Sequence, residues 1–261
     1  LINIKKKKGG EKMKKLLNLL LIVLVLTISF PVFSTTGLDW AMFRTYTSPA
    51  WVAGENGLIT IPTTEMLGSG KLALAFSGID AGELFGDRLL FSTLSAHYNI
   101  GNFIEVGITK KAILQGMERT DVEGETLHAK MRILKGTMPI AFGATILNLN
   151  SEPANWKKDT TFFNAFGVVA LKWKTFTVNT GIEAGLIGDK KTEPFFFAGV
   201  GQKVGQLLLM GELIGTNEEG KGGLFNVGVS YNVLGSGLRI GVSGYDLTDE
   251  RKIMVQTSMK F

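Results

Sequence analysis

Ser95 and His97 stand two positions apart in a segment, 88–98, that alternates apolar and polar residues. In an extended chain such a pair shares one face, which is how a nucleophile and its base are displayed side by side. His128 is a second residue with ligand chemistry, but Lys130 and Arg132 follow it at the same two-residue step. Cations repel a metal ion, and no carboxylate or second histidine lies at ligand spacing along the chain, so no metal is expected. Gly199-Val200-Gly201 and similar runs lack the following helix that cradles phosphate, and they read as glycines easing the curvature of a sheet. No catalytic residue and no cofactor is expected.

Composition narrows the classes further. The chain has 261 residues with no Cys, 33 Gly and 45% hydrophobic residues. These values exclude a disulfide scaffold, a zinc-thiolate site and a disordered chain. A net charge of +5 invites a nucleic-acid reading, but residues 1–35 hold seven of the 28 Lys+Arg and one of the 23 Asp+Glu. What remains, 21 basic and 22 acidic groups, lacks the basic excess that phosphate binding requires, so no nucleic-acid partner is expected. Residues 13–34 open on Lys14 and Lys15, continue through an uncharged apolar run to Phe30 and end on Ser34. That is the pattern of a signal peptide cleaved near Ser34, and residues 1–12 read as a mis-called upstream extension. Residues 35–70, with Trp40, Phe43, Pro49 and Trp51, form either a periplasmic segment or a lumen plug, and residues 71–261 the main domain.

The main domain divides into about twelve alternating segments, near 71–80, 88–98, 102–112, 126–135, 138–148, 161–172, 175–186, 193–203, 206–216, 222–232, 236–246 and 251–261. Each has close to the roughly 9–11 residues that cross a bilayer as a tilted strand. Tight links at Asn99-Ile100-Gly101, Gly136-Thr137, Trp173-Lys174, Val204-Gly205 and Leu234-Gly235 alternate with longer polar ones at 81–87, 113–125, 149–160, 187–192, 217–221 and 247–250. This predicts an all-β fold: a transmembrane, antiparallel, up-and-down β-barrel of about 12 strands with both termini periplasmic. Closure pairs every backbone donor, as hydrocarbon demands. A soluble sandwich would show the same two-residue period with the faces exchanged.

Aromatic placement favours the barrel. Tyr98, Trp173, Phe176, Tyr231 and Phe261 fall on the presumed lipid face within a residue or two of a tight link or chain end, where amphipathic rings meet the bilayer interface. Phe163, Phe196 and Phe225 take the opposite ends. The segment 206–216 fits least well, because Leu207 to Met210 are apolar on both faces. Either its register is wrong or the lumen is plugged and partly apolar there.

Two stretches resemble known proteins. The last segment, alternating and ending on Phe261, is similar to the C-terminal signature of bacterial outer-membrane proteins, which implies the barrel-assembly machinery as a partner. Gly57-Leu58-Ile59-Thr60-Ile61-Pro62-Thr63-Thr64-Glu65-Met66-Leu67, followed by Gly70-Lys71-Leu72, resembles the opening of YjbH-like proteins, outer-membrane barrels associated with exopolysaccharide production. Outer-membrane phospholipases share a His-x-Ser-Asn motif that is absent here.

The inward parity gathers Lys71, Lys130, Arg132, Lys172, Lys203, Arg239 and Lys260 against Glu105, Glu183 and Glu212. A basic lumen in a low-dielectric wall would draw anions along it. The expected function is therefore a pore or export-associated channel in the outer membrane, for anionic solutes or polysaccharide, with outer-membrane lipid around it. The alternative is a non-conducting scaffold barrel of an envelope or exopolysaccharide apparatus.

Overall fold

The computed structural model describes residues 56–84, 87–115, 118–150, 160–187, 190–191, 194–216, 223–247 and 252–261. The upstream extension, the signal peptide and residues 35–55 lie outside the described residues. Thirteen strands follow one another: β1 (Leu72–Leu84), β2 (Asp87–Ile100), β3 (Ile104–Gln115), β4 (Glu118–Leu134), β5 (Ile140–Asn150), β6 (Thr160–Lys172), β7 (Phe176–Ile187), the two-residue β8 (Lys190–Lys191), β9 (Phe195–Val204), β10 (Leu207–Thr216), β11 (Leu224–Asn232), β12 (Leu238–Tyr245) and β13 (Lys252–Lys260). Twelve of them are long, and no helix is found among the described residues.

Each long strand pairs antiparallel with its neighbour along the chain, and β1 pairs with β13 from Ala73↔Lys260 to Ile79↔Met254. The sheet is thus a closed twelve-stranded barrel without a free edge. Four of the five tight links carry a left-handed glycine, Gly101, Gly136, Gly205 or Gly235, and the fifth, at Trp173-Lys174, has none. Between β9 and β10 the two-residue turn Gly205-Gln206 has Gly205 at φ 61°, a left-handed value that a side chain would strain.

Two of the expected loops are strand instead. β1 runs on to Leu84 and β4 begins at Glu118, so the links near 81–87 and 113–125 shrink to residues 85–86 and 116–117. The reason is legible in Glu118-Arg119-Thr120-Asp121-Val122-Glu123-Gly124-Glu125, which is polar at nearly every position. Apolar alternation marks a strand inside lipid, and a strand that continues past it into water loses that mark. Register shifts at Asp80/Glu83 and Ala112/Leu114 accompany both extensions.

The two faces decide between barrel and sandwich. Ile108, Leu127 and Ile253 are 60% exposed, whereas Glu105, Lys130, Glu212 and Asn226 are at most 1% exposed. An apolar exterior around a polar interior is a surface made for lipid. One outward position departs from the pattern: Val178 is covered, while Ile182 on the same face of β7 is exposed.

Candidate functional site

The chain enters its own barrel. Residues 56–63 form a small hairpin in which Leu58 N–H donates to Ile61 O (3.1 Å) and Thr63 N–H to Asn56 O (3.1 Å), with Gly57 bridged to Pro62. Leu58, Ile59 and Ile61 are buried against inward-facing positions of the wall. Glycines make the room: a Cβ on Gly199 would lie 2.5 Å from Ile61 Cδ1 and 2.6 Å from Leu58 Cδ1. Gly201 faces Leu58 and Leu208 in the same way, and Gly228 faces Ile59.

Glu212, on β10 between Gly199 and Asn226, binds the tip. Its Oε1 accepts from the backbone amides of Ile59 (2.5 Å), Thr60 (2.8 Å) and Ile61 (3.1 Å), while Oε2 accepts from Thr60 Oγ1 (2.9 Å) and Asn226 Nδ2 (3.1 Å). Three successive amides converging on one anion make a backbone nest. Buried carboxylates require such donors, and orphaned buried amides are costly, so each side satisfies the other. Gln256 Nε2 adds a bond to Ile59 O (2.9 Å).

The base of the hairpin is bound by a second group. Lys130 Nζ donates to the carbonyls of Asn56 (2.9 Å), Thr63 (3.2 Å) and Glu65 (2.6 Å) and lies 4.0 Å from Glu105 Oε1. Glu105 accepts from Asn56 Nδ2 (2.5 Å) and Leu67 N–H (3.2 Å), and Asn99 Nδ2 donates to Leu67 O. Glu65 pairs with Lys172 at 2.6 Å. Lys130 therefore faces hairpin carbonyls and not an open path.

Beside this group lie the two histidines. His97 on β2, Gly107 on β3 and His128 on β4 form one cross-strand row. A Cβ on Gly107 would sit 2.3 Å from His128 Nε2, so glycine there lets the His128 ring cross β3 and reach His97 Nδ1 at 2.9 Å. Ser95 Oγ is 3.0 Å from His97 Nε2, and Glu105 Oε1 is 3.8 Å from His97 Nδ1. The order serine, histidine, carboxylate has the connectivity of a hydrolytic triad. All three are at most 1% exposed, and the last contact exceeds hydrogen-bond distance, so no substrate carbonyl reaches Ser95 in this arrangement. Along the chain no carboxylate or second histidine lies at ligand spacing from His128; the barrel wall brings both to it. The turn 101–103 fixes the register of β2 on β3, which places His97 opposite Gly107, but the β3–β4 register follows from no tight link and hid His128.

The other inward cations lie toward the tight-turn end. Lys71 and Lys203 are exposed, and Arg132, Lys172, Arg239 and Lys260 are half-buried. An open pocket of about 110 Å³ there is lined by Asn232, Arg239, Ser258 and Lys260 among others. Lys111 and Lys252, inward and buried, were absent from the expected set. Of the interface aromatics, Tyr98, Tyr231 and Phe261 are about half exposed, and Trp173 packs on Phe176 with ring centroids 5.5 Å apart. The doubtful segment is regular: β10 keeps unbroken register with β9, and Leu208 and Met210 point inward among the core residues that include Leu58.

An apolar outer belt, a closed antiparallel wall and a polar interior define an outer-membrane β-barrel. The KdgM porin in complex with disordered oligogalacturonate is similar in fold, with a TM-score of 0.52 and 11% identity over 73% of this chain and 98% of its own. The KdgM porin in a separate structure aligns with a TM-score of 0.51 and 10% identity, covering 72% and 98% of the two chains. Outer membrane phospholipase A from Escherichia coli aligns at 0.46 with 10% identity, over 72% of this chain and 90% of its own. No family model matches the chain, and no characterised protein matches it in sequence. The YjbH-like opening thus has no family match behind it, and its residues are those of the internal hairpin.

Proposed function

We propose that this protein is an outer-membrane channel held shut by its own residues 56–67, and that it admits anionic solutes, acidic saccharides among them. One observation carries the reading: the lumen is occupied by a hairpin attached through hydrogen bonds to three buried wall charges, Glu212, Glu105 and Lys130. About eight strands enclose a space that side chains fill unaided, and twelve enclose more. A segment bound by reversible contacts closes such a barrel and leaves it able to open.

The tight-turn mouth supplies the selectivity. Lys71, Arg132, Lys172, Lys203, Arg239 and Lys260 ring it with positive charge, which attracts anions most strongly where the wall is low in dielectric. An oligogalacturonate, the saccharide in the similar KdgM structure, is an anion of this kind. The YjbH-like opening extends the same idea to acidic exopolysaccharide. Export with cleavage near Ser34 and assembly through the strand ending at Phe261 belong to this reading.

A scaffold barrel is the second reading, and the apolar residues filling the lumen around the tip, among them Phe197, Leu208, Met210 and Ile214, favour it. Planar-bilayer recording separates the two. The channel reading expects rare openings of the wild-type protein, frequent ones for Glu212→Ala, and a reversal potential on the anion side in a salt gradient. Silence of both proteins supports the scaffold, and a cation-side potential removes the anion preference.

A further inference from the structure

The geometry points to a metal site at the base of the hairpin: His97, His128 and Glu105 bind a divalent transition metal of the zinc class. One ligand atom from each lies within 4.8 Å of the others. His97 Nδ1 is 2.9 Å from His128 Nε2 and 3.8 Å from Glu105 Oε1. Around zinc, with bonds of about 2.0–2.2 Å, ligand atoms sit roughly 3–4 Å apart. Two imidazoles and one carboxylate suit zinc, nickel or copper better than magnesium or calcium, which prefer oxygen alone.

The surroundings fit a metal as well as the ligands do. Ser95 Oγ donates to Ala75 O (3.5 Å) and stands 3.0 Å from His97 Nε2, which places it to accept the Nε2 proton in the tautomer that turns the Nδ1 lone pair to the centre. Gly107 leaves the space through which His128 reaches that centre. Lys130 is a repelling charge 4.0 Å from Glu105 Oε1, but it also donates to three hairpin carbonyls, and a metal ion in contact with the carboxylate lies closer to it.

Metal binding has a consequence for the hairpin. Asn56 Nδ2 is 3.0 Å from His97 Nδ1 and 2.5 Å from Glu105 Oε1. An imidazole nitrogen has one lone pair, and in the metal-free protein the N–H groups of Asn56 Nδ2 (3.0 Å) and His128 Nε2 (2.9 Å) share that of His97 Nδ1; a bound ion takes the lone pair from both. The ion therefore replaces the Asn56 bond to His97, while the bonds of Asn56 to Glu105 and Lys130 use other atoms, so the base of the hairpin loses one contact. His128 accommodates the ion by moving its proton from Nε2 to Nδ1, without net proton loss.

The test is zinc titration of the full, detergent-folded chain by calorimetry, with bound metal counted after dialysis. The expected result is one zinc per chain. His128→Ala and Glu105→Gln should weaken binding by more than roughly a hundredfold, since even the loss of an outer partner such as Ser95 costs about 10–100-fold. Asn56→Ala should tighten it, because a competitor for Nδ1 is gone. Heat-modifiable migration on a gel shows which variants have folded, and His128→Ala, which vacates space and adds no group, serves if Glu105→Gln does not fold. Wild-type binding no tighter than that of His128→Ala overturns the site, and weaker binding by Asn56→Ala overturns the competition. The readout is bound metal and not current, so it stands apart from the channel reading.

Discussion

The tip and the base of the internal hairpin are both held by buried charge, yet they are built on opposite plans. At the tip one carboxylate, Glu212, gathers three amides, a hydroxyl and an asparagine within an otherwise apolar setting of Leu58, Ile59, Ile61 and Leu208. At the base the load is divided: Lys130 binds three carbonyls, Glu105 two donors, Asn99 another carbonyl, and Lys172 reaches Glu65. A concentrated attachment fails all at once when its centre is removed. A divided one loses strength in steps. The tip is accordingly the place where one substitution should remove most of the polar attachment.

The largest effect is therefore expected from Glu212→Ala. The amides of Ile59, Thr60 and Ile61 would lose their acceptor, and each orphaned buried amide costs about 1–3 kcal/mol, partly recovered if water enters. Because the chain has no cysteine, a reporter at Ile59→Cys can be read with a water-soluble maleimide. It should be protected in the otherwise intact protein and labelled rapidly with Glu212→Ala, while gel migration still reports a folded barrel. Protection in both would mean that the apolar contacts and the Gln256 bond to Ile59 O hold the tip without Glu212.

A smaller effect should follow from crowding the tip. Gly199→Ala places a Cβ about 2.5 Å from Ile61 and 2.6 Å from Leu58, too near for either to stay where it is. Overpacking of this kind costs about 1–3 kcal/mol, and here it falls on the hairpin more than on the wall. Gly201→Ala is the control, with its nearest contacts at 3.3 and 3.5 Å. Labelling at Ile59→Cys should rise for the first and barely change for the second. No rise for either would show that apolar fit contributes little, and would leave the tip to Glu212 and Gln256.

What the sequence made legible follows from what a strand repeats. Period-two alternation located twelve strands and separated Leu127, Met131 and Ile133 from His128 and Lys130, because lipid and lumen impose opposite chemistry on successive residues. Tight turns were readable because Gly205 and its counterparts need backbone angles that other residues resist. The extension of β4 back to Glu118 was not, since beyond the bilayer neither face must be apolar. Nor were the contacts of the lumen: Ile59 and Glu212 are 153 residues apart, and no local pattern records that the amides of one meet the carboxylate of the other. His97, Glu105 and His128 looked unrelated for the same reason. One trace was present, in the two-sided apolar run Leu207 to Met210, where the wall turns apolar residues inward to meet the hairpin.

The base should yield the smallest effect, and it is the sharper test of the contrast. Glu65 and Lys172 meet at 2.6 Å, with side chains 35% and 24% exposed, so water and salt screen the pair. Such partly exposed ion pairs contribute about 0–1 kcal/mol. Glu65→Gln leaves the Lys130 bond to the Glu65 carbonyl in place, because that bond uses the backbone. Labelling at Ile59→Cys should then rise slightly at low ionic strength and match the unaltered protein in high salt. If Glu65→Gln exposed the tip as fully as Glu212→Ala, the base would be as concentrated an attachment as the tip. The hairpin would then be released from its mouth-facing end, with Lys172 as the contact an incoming anion displaces.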